Sequence, residues 1–358
     1  MAKYSLSSLQ KFVSGFENDP FWIGLDVHKR SYHVALRRRD GQHATWVAPA
    51  SPATFTKQIL HLDIKIGAVA YETGPTGFAL ARALQAAGLQ VIVAAASRIP
   101  RSVTAGAKCD RLDCIKLSDY TAKGMLKPIA IPTSDEEAHR TFLRRRHTLV
   151  DSVRRSKQRI KSLLLFAGIE EPKDVSNWSN RAKEALFELP LDPTLQLTLE
   201  SHLRELTFHQ TELRRVESAL RQLVASTKQR QSVRYLQTVP GVGPTVSTTF
   251  ALELFCPERF GRAEEVASYL GLAPMVHHSG VKTPRGRLVP VGQKRLRSLL
   301  IEAAWMWKAK DPSAAELYNR LLARSGVAQK AIVAVARKLA VILWRLLIEQ
   351  RAYRIGAV

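Results

Sequence analysis

Disulfide chemistry has almost nothing to work with in this chain. Its 358 residues include three cysteines, Cys109, Cys114 and Cys256, and no Cys-x-x-Cys pair. That excludes a disulfide framework and fits a reducing, cytosolic setting. No run of 18 uncharged apolar residues occurs, so no transmembrane span is expected. Residues 1–20 carry Phe16, Glu17, Asn18 and Asp19 where a secretory leader needs an apolar centre. No internal repeat is evident. Acids are scarce: 31 Asp and Glu stand against 54 Lys and Arg, giving +23 and a pI near 10.3. The excess is spread along the chain, so a polyanionic partner is expected, nucleic acid ahead of a membrane surface.

Against that background a carboxylate inside an apolar strand stands out. Phe21-Trp22-Ile23-Gly24-Leu25-Asp26-Val27-His28-Lys29 reads as a buried strand with Asp26 in its middle. Burying an acid costs several kcal/mol, on the order of 2–7, unless it is paired or binds a cation. Taken alone, Asp26 is equally an ordinary loop cap. Ser31–Arg39 and 43–47 read as two further strands joined through Arg39-Asp40-Gly41-Gln42. Pro52–Leu62 is helix-like, Ile66–Tyr71 is a strand ending at Glu72, Phe78–Ala87 is a helix stopped by Gly88, and Leu89–Ala95 is a strand. The order βββ-α-β-α-β-α is that of a ribonuclease-H-like domain, although a fold alone proves no activity.

Three more acids join Asp26. Glu72 sits at the carboxyl end of its strand, where open α/β sheets place ligands. Asp110 and Asp113, in Lys108-Cys109-Asp110-Arg111-Leu112-Asp113-Cys114, open a helix running to about Gly124 and share one face. They are also what a helix dipole favours at its N-terminus. If all four converge at one sheet edge they repel unless divalent cations neutralise them. Two Mg²⁺ ions about 4 Å apart would do so and would polarise a phosphodiester.

The words Gly-Leu-Asp26-Val-His-Lys, Tyr-Glu72-Thr-Gly and Lys-x-Asp110-Arg-x-Asp113 resemble the DEDD transposases of the insertion sequence 110 family, with a RuvC-like site. Cys109 and Cys114 depart from that pattern. As metal ligands they lack a neighbouring His or third Cys.

From Ser134 to about Gly168 the pattern is helical and basic. Arg140, Arg144, Arg145, Arg146, Arg154 and Arg155 form a run of nearly one sign, which reads as solvated surface or as a nucleic-acid contact, the latter favoured. Thr194–Lys228 is leucine-rich, with steps from Leu206 that suit a coiled-coil seam or an intrachain helical hairpin. The resemblance implies a dimerising insert here. Val239-Pro240-Gly241-Val242-Gly243-Pro244 is a helix-hairpin-helix signature, in which Gly241 and Gly243 would let backbone N–H groups face a phosphate. Any helix–helix turn uses such residues as well.

Gly271-Leu-Ala-Pro274, Ser279-Gly280, Lys282-Thr283 and Gly292-Gln-Lys294-Arg295-Leu296-Arg297 match the C-terminal transposase domain of the same family. By that resemblance Ser279 is the nucleophile, forming a covalent phosphoserine link to DNA. Lys282, Arg285, Arg287, Lys294 and Arg295 are the cations beside it. On sequence alone, Ser279 is also an ordinary turn residue.

The expected chain is α/β plus all-α. It has a flexible arm (1–20), a RuvC-like metal domain (21–130), a basic helical or coiled-coil middle (131–230) and a helical C-terminal domain (231–358). The resemblance implies a DNA transposase that binds donor and target DNA, a structured noncoding guide RNA and Mg²⁺. It also implies a homo-oligomer, a dimer that becomes a tetramer on DNA, without a membrane and in the cytoplasm. The alternative is a Mg²⁺-dependent junction-resolvase-like endonuclease without a covalent intermediate.

Overall fold

The structure, a computed structural model, describes residues 6–100, 110–172, 175, 177–274, 288 and 292–356. The chain divides into two compact units, Met1–Asp135 and Glu136–Val358.

The first unit runs α1 (Leu6–Val13), β1 (Phe21–Val27), β2 (Ser31–Arg37), β3 (His43–Pro49), α2 (Pro52–Leu60), β4 (Ile66–Glu72), α3 (Ala79–Ala86), β5 (Val91–Ala94) and α4 (Asp110–Ala122). The strands form one sheet in the order β3-β2-β1-β4-β5. The β1–β2 and β2–β3 pairs are antiparallel, and β4 and β5 run parallel to β1. Alternation along β1 decides what lies on each face. Phe21, Ile23 and Leu25 enter a core with Leu9 and Val13 of α1, Phe55 and Ile59 of α2, and Leu80 and Leu84 of α3. The opposite face carries Gly24, Ala70 and Ala94, small enough for α4 to lie directly on the strands through Leu117. A Cβ at Gly24 would overlap the Cys114 carbonyl oxygen and the Ser118 nitrogen, so only glycine admits this approach.

The N-terminal arm expected to be flexible is corrected here. Residues 6–13 are helical, and Leu9 and Val13 are buried in the sheet core. Leu6, Leu9, Phe12, Val13 and Phe16 recur at helical spacing, a period missed because the segment is short and is followed by Glu17-Asn18-Asp19.

The second unit is helical: α5 (Ser134–Phe166, belonging to this unit from Glu136 on), α6 (Asn180–Phe187), α7 (Pro193–Ser226), α8 (Gln229–Gln237), α9 (Pro244–Leu254), α10 (Ala263–Tyr269), α11 (Lys294–Lys310), α12 (Pro312–Ser325) and α13 (Ala328–Glu349). The α7 seam packs against the chain's own α5. Leu199, Leu203 and Leu206 meet Ile160 and Leu164, and further along Val216 and Leu220 meet Leu143 and Leu149. An intrachain hairpin therefore accounts for the leucine pattern. Leu252 of α9 joins the second of these clusters, and Val224 of α7 joins the C-terminal core. That shared packing merges the middle and C-terminal segments into one unit, where separate domains were expected. The core centres on Trp307, Phe250 and the apolar face of α13. Among the described residues no helix is long and apolar enough to cross a membrane.

Candidate functional site

In the first unit, Leu25 of β1 is registered with Tyr71 of the parallel β4. Asp26 and Glu72 are the next residues on adjacent strands, on the face that also carries Gly24 and Ala70 and receives α4. The Asp26 side chain is 25% exposed, and Glu72 is open to solvent. Asp113, half-buried, lies in the first turn of α4, which Asp110 opens; the side chain of Asp110 is outside the described residues. Cys114 feels two of them, Asp26 and Asp113. Its thiol is pushed up to about 12, mainly by burial and further by the charges of Asp26 and Asp113. A thiol so held stays protonated at neutral pH, which makes it a poor nucleophile and a poor metal ligand.

Histidines add a part that sequence reasoning did not single out. His28 Nε2 is 3.1 Å from Asp26 Oδ2, and the His28 and His33 rings meet edge to face at 5.5 Å. His33 is registered directly across from Asp26 on β2. That pairing follows from the hairpin register, the one sequence signal that could have found it. Further along α4, Asp119 accepts a hydrogen bond from Arg37 Nε at 2.7 Å and lies 3.2 Å from His43 Nε2, pinning the helix to β2 and β3.

Among the described residues no three of His, Cys, Asp and Glu close to metal-binding distance. The chemistry of the donor set still suits a hard divalent cation: Asp26, Glu72 and Asp113 offer carboxylate oxygens only, at one sheet edge.

In the second unit the basic run of α5 has acquired partners. Glu253 of α9, almost fully buried, accepts from Arg140 Nε and Nη2 and from Arg144 Nε and Nη2, all at 3.2 Å. Arg146 pairs with Glu217 of α7 at 2.8 Å. Protein carboxylates thus engage Arg140, Arg144 and Arg146, three of the arginines expected to face phosphates. The partners stand 113, 109 and 71 residues away in sequence, which is why the run looked uncompensated. Arg145 and Arg155 face solvent, as does Arg154 beside Asp151. Glu253→Gln should destabilise the protein by about 3 kcal/mol, because it leaves two guanidinium groups crowded without their anion. Urea unfolding measures this, and a midpoint equal to wild type would contradict it.

His147 lies in the same region, 9% exposed, and among the described residues its Nε2 has no hydrogen-bond partner. Burial first, then Arg146 and Arg295, lower its pKa from 6.5 to about 4, against opposing contributions from Glu253 and Asp151. The folded protein holds it neutral, so its contribution to stability is complete above pH 6.5 and is lost as pH falls toward 4. The loss should reach about 3 kcal/mol. His147→Leu should flatten the rise of urea midpoint between pH 4 and 6.5. An unchanged pH profile would contradict the assignment.

The Pro240–Gly243 turn joins α8 to α9. Gly241 (φ +85°) is packed on α11: a Cβ there would sit 2.7 Å from Met306 Cβ and 2.8 Å from the Ala303 carbonyl oxygen. Its need for glycine is thus met by helix packing. Gly243 is exposed with open space around it, at the N-terminus of α9. Ser279, Lys282, Arg285 and Arg287 lie outside the described residues, as do Cys109, His277 and His278. The flanks of that segment are tied together. Pro274 bridges to Leu288, Gln293 Nε2 donates to Tyr269 Oη at 3.3 Å, and Arg297 Nη1 donates to the Gly271 carbonyl at 3.1 Å. Lys294 and Arg295 are exposed in the first turn of α11, where the helix dipole disfavours cations and favours an anion.

Two family models match the chain. One, described as a transposase and named for DEDD transposases of IS110, covers residues 23–168; the other, the transposase IS116/IS110/IS902 family, covers residues 233–319. Among curated proteins, the y4qE transposase candidate of Sinorhizobium fredii is 29% identical, over 92% of this chain and 89% of its own. The transposase for insertion sequence element IS1111A of Coxiella burnetii is 28% identical over 70% and 69%. The pilin gene-inverting protein of Moraxella bovis is 25% identical over 69% and 68%.

Proposed function

This chain belongs to the IS110 family of DEDD transposases, and from that premise we propose that it cuts and rejoins DNA through a covalent phosphoserine intermediate, guided by a structured noncoding RNA. The observation that supports the metal half of this reading is that Asp26 and Glu72 directly follow the registered Leu25–Tyr71 pair on parallel strands, while Asp26 and Asp113 both act on the buried Cys114 thiol. The five-stranded order with α4 laid across β1 supports the reading of a ribonuclease-H-like, RuvC-like domain. Asp26, Glu72, Asp110 and Asp113 would hold Mg²⁺. Bound there, the ion would polarise the scissile phosphate and offset its developing charge. His28 keeps the Asp26 carboxylate oriented.

Ser279 supplies the nucleophile. Its Oγ forms a bond to phosphorus, the phosphorus–oxygen bond of the DNA backbone breaks, and the departing DNA oxygen leaves as a hydroxyl after gaining a proton. Attack by a DNA hydroxyl on the phosphoserine reverses the step and reseals a strand without an external energy source. Lys282, Arg285, Arg287, Lys294, Arg295 and Gly243 line the phosphate path in this reading, with Arg145, Arg154 and Arg155 on the solvent face of α5. The protomers assemble on donor and target DNA as a dimer and then a tetramer.

The test is to incubate the full chain with its RNA, DNA and Mg²⁺, denature the mixture, and look for DNA attached to protein. A Mg²⁺-dependent adduct is expected. Cleaved DNA without an adduct would identify a resolvase-like endonuclease in which water attacks. RNA recovered with the purified protein should pair with the DNA flanking the gene.

A further inference from the structure

Among the described residues, α13 and the tail after it carry a concentration of positive charge that nearby carboxylates largely leave unanswered. On α13 and the tail after it, Arg337, Lys338, Arg345, Arg351 and Arg354 line a groove of about 410 Å³ together with Tyr353. No acid lines it. Glu349 pairs with Arg351, but among the described residues no carboxylate reaches Arg337, Lys338, Arg345 or Arg354. The contrast with α5 is direct, because there Glu253, Glu217 and Glu205 take up the arginines.

The helix dipole does not account for these cations, because the last turn of α13 carries no basic residue. Arg337 and Lys338 stand more than 10 residues before Glu349, roughly three turns from the end of the helix. Like charges held this close without an anion are unfavourable in the free protein and become favourable once a polyanion lies across them. The floor of the groove is Val341, Ile342 and Leu346, which gives the arginine stems an apolar bed while their heads stay in solvent. The tail is fixed in place: Tyr353 Oη donates to Asp311 Oδ2 at 2.8 Å, and its phenol is pushed up to about 12 by burial and that carboxylate. Arg351 and Arg354 are therefore presented from an anchored segment.

We propose that this groove binds the phosphate backbone of duplex DNA, as a contact separate from the residues that carry out strand exchange. Arg337 and Arg345 are about 12 Å apart along the helix, and a duplex carries one charge per ~1.7 Å of its axis, so both face phosphates at once. The inference rests on the chain acting on DNA and not on which residue attacks it.

The experiment compares wild type with a variant carrying Arg337→Gln, Lys338→Gln, Arg345→Gln and Arg354→Gln, in the full chain without Mg²⁺ so that no strand is cut. Affinity for a fluorescent 30-base-pair duplex is measured across a salt series, and thermal melting checks the fold. Loss of four contacts should reduce the slope of log K against log salt by about 3 to 4. An unchanged slope overturns the proposal. A slope that falls for a structured RNA but not for the duplex also overturns it, and assigns the groove to RNA. Should the variant fail to fold, acetylation of Lys338 in wild type decides: protection by the duplex supports the groove, and equal labelling with and without DNA refutes it.

Discussion

Asp26→Asn should eliminate Mg²⁺-dependent strand cleavage while leaving the protein folded. The substitution keeps the shape of the side chain, and its amide can still meet His28, which now lies 3.1 Å from Oδ2. What it removes is one negative charge at the strand end next to Glu72. A site that assembles a divalent cation from carboxylates loses both affinity and geometry when one of them becomes neutral. The rate should fall by at least ~10³-fold, or about 4 kcal/mol of transition-state stabilisation. Melting provides an independent reading. Mg²⁺ binding only to the native state should raise the wild-type midpoint with concentration, and the variant should lose that rise. Without Mg²⁺ the variant should melt at or above wild type, because repulsion from Glu72 and Asp113 is relieved. Cleavage at wild-type rate, or an undiminished Mg²⁺ shift, would remove Asp26 from the metal site.

The parts of this site legible in the sequence are those encoded locally. Phe21–Val27, Ile66–Glu72 and the helix from Asp110 have apolar periodicities bounded by turns, and each lies where its pattern placed it. Asp26 and Glu72 follow the registered pair Leu25–Tyr71 on parallel strands, so both stand at the carboxyl end of the sheet, where the sequence already placed Glu72. Ion pairs across long separations were not legible. Nothing near Arg140 in sequence indicates that Glu253 will be buried against it, and the run of arginines was therefore assigned to a polyanion. Gly241 teaches the same lesson from the other side. Its motif is a phosphate-binding turn by spelling, and its cramped surroundings on α11 explain the glycine equally well. A short amphipathic helix such as Leu6–Val13 escaped because two turns carry too little periodicity to stand out from a polar neighbourhood.

Ser279→Ala should abolish the covalent adduct and all recombinant product while leaving DNA and RNA binding in place. A serine hydroxyl is a weak nucleophile at neutral pH and needs a base, a metal or local positive charge to act. Lys282, Arg285 and Arg287 follow within eight residues, and Lys294 and Arg295 open the helix beyond them. If they flank the attacked phosphate, these cations would stabilise the charge that grows on its oxygens as the new bond forms. Removing Oγ changes none of these cations, so binding should survive and only bond formation should be lost. Two neighbouring serines serve as controls. Ser298 Oγ donates to the Lys294 carbonyl within α11 at 3.2 Å, and Ser268 is exposed on α10. Neither precedes a glycine, and Ser268→Ala and Ser298→Ala should keep full activity. The measurement is a denaturing gel of protein with end-labelled DNA, followed by peptide mass mapping of any adduct. An adduct persisting in Ser279→Ala and mapped to another residue would reassign the nucleophile. Cleavage persisting in that variant with no adduct would establish water as the attacking group and leave the carboxylate site as the whole of the catalytic machinery.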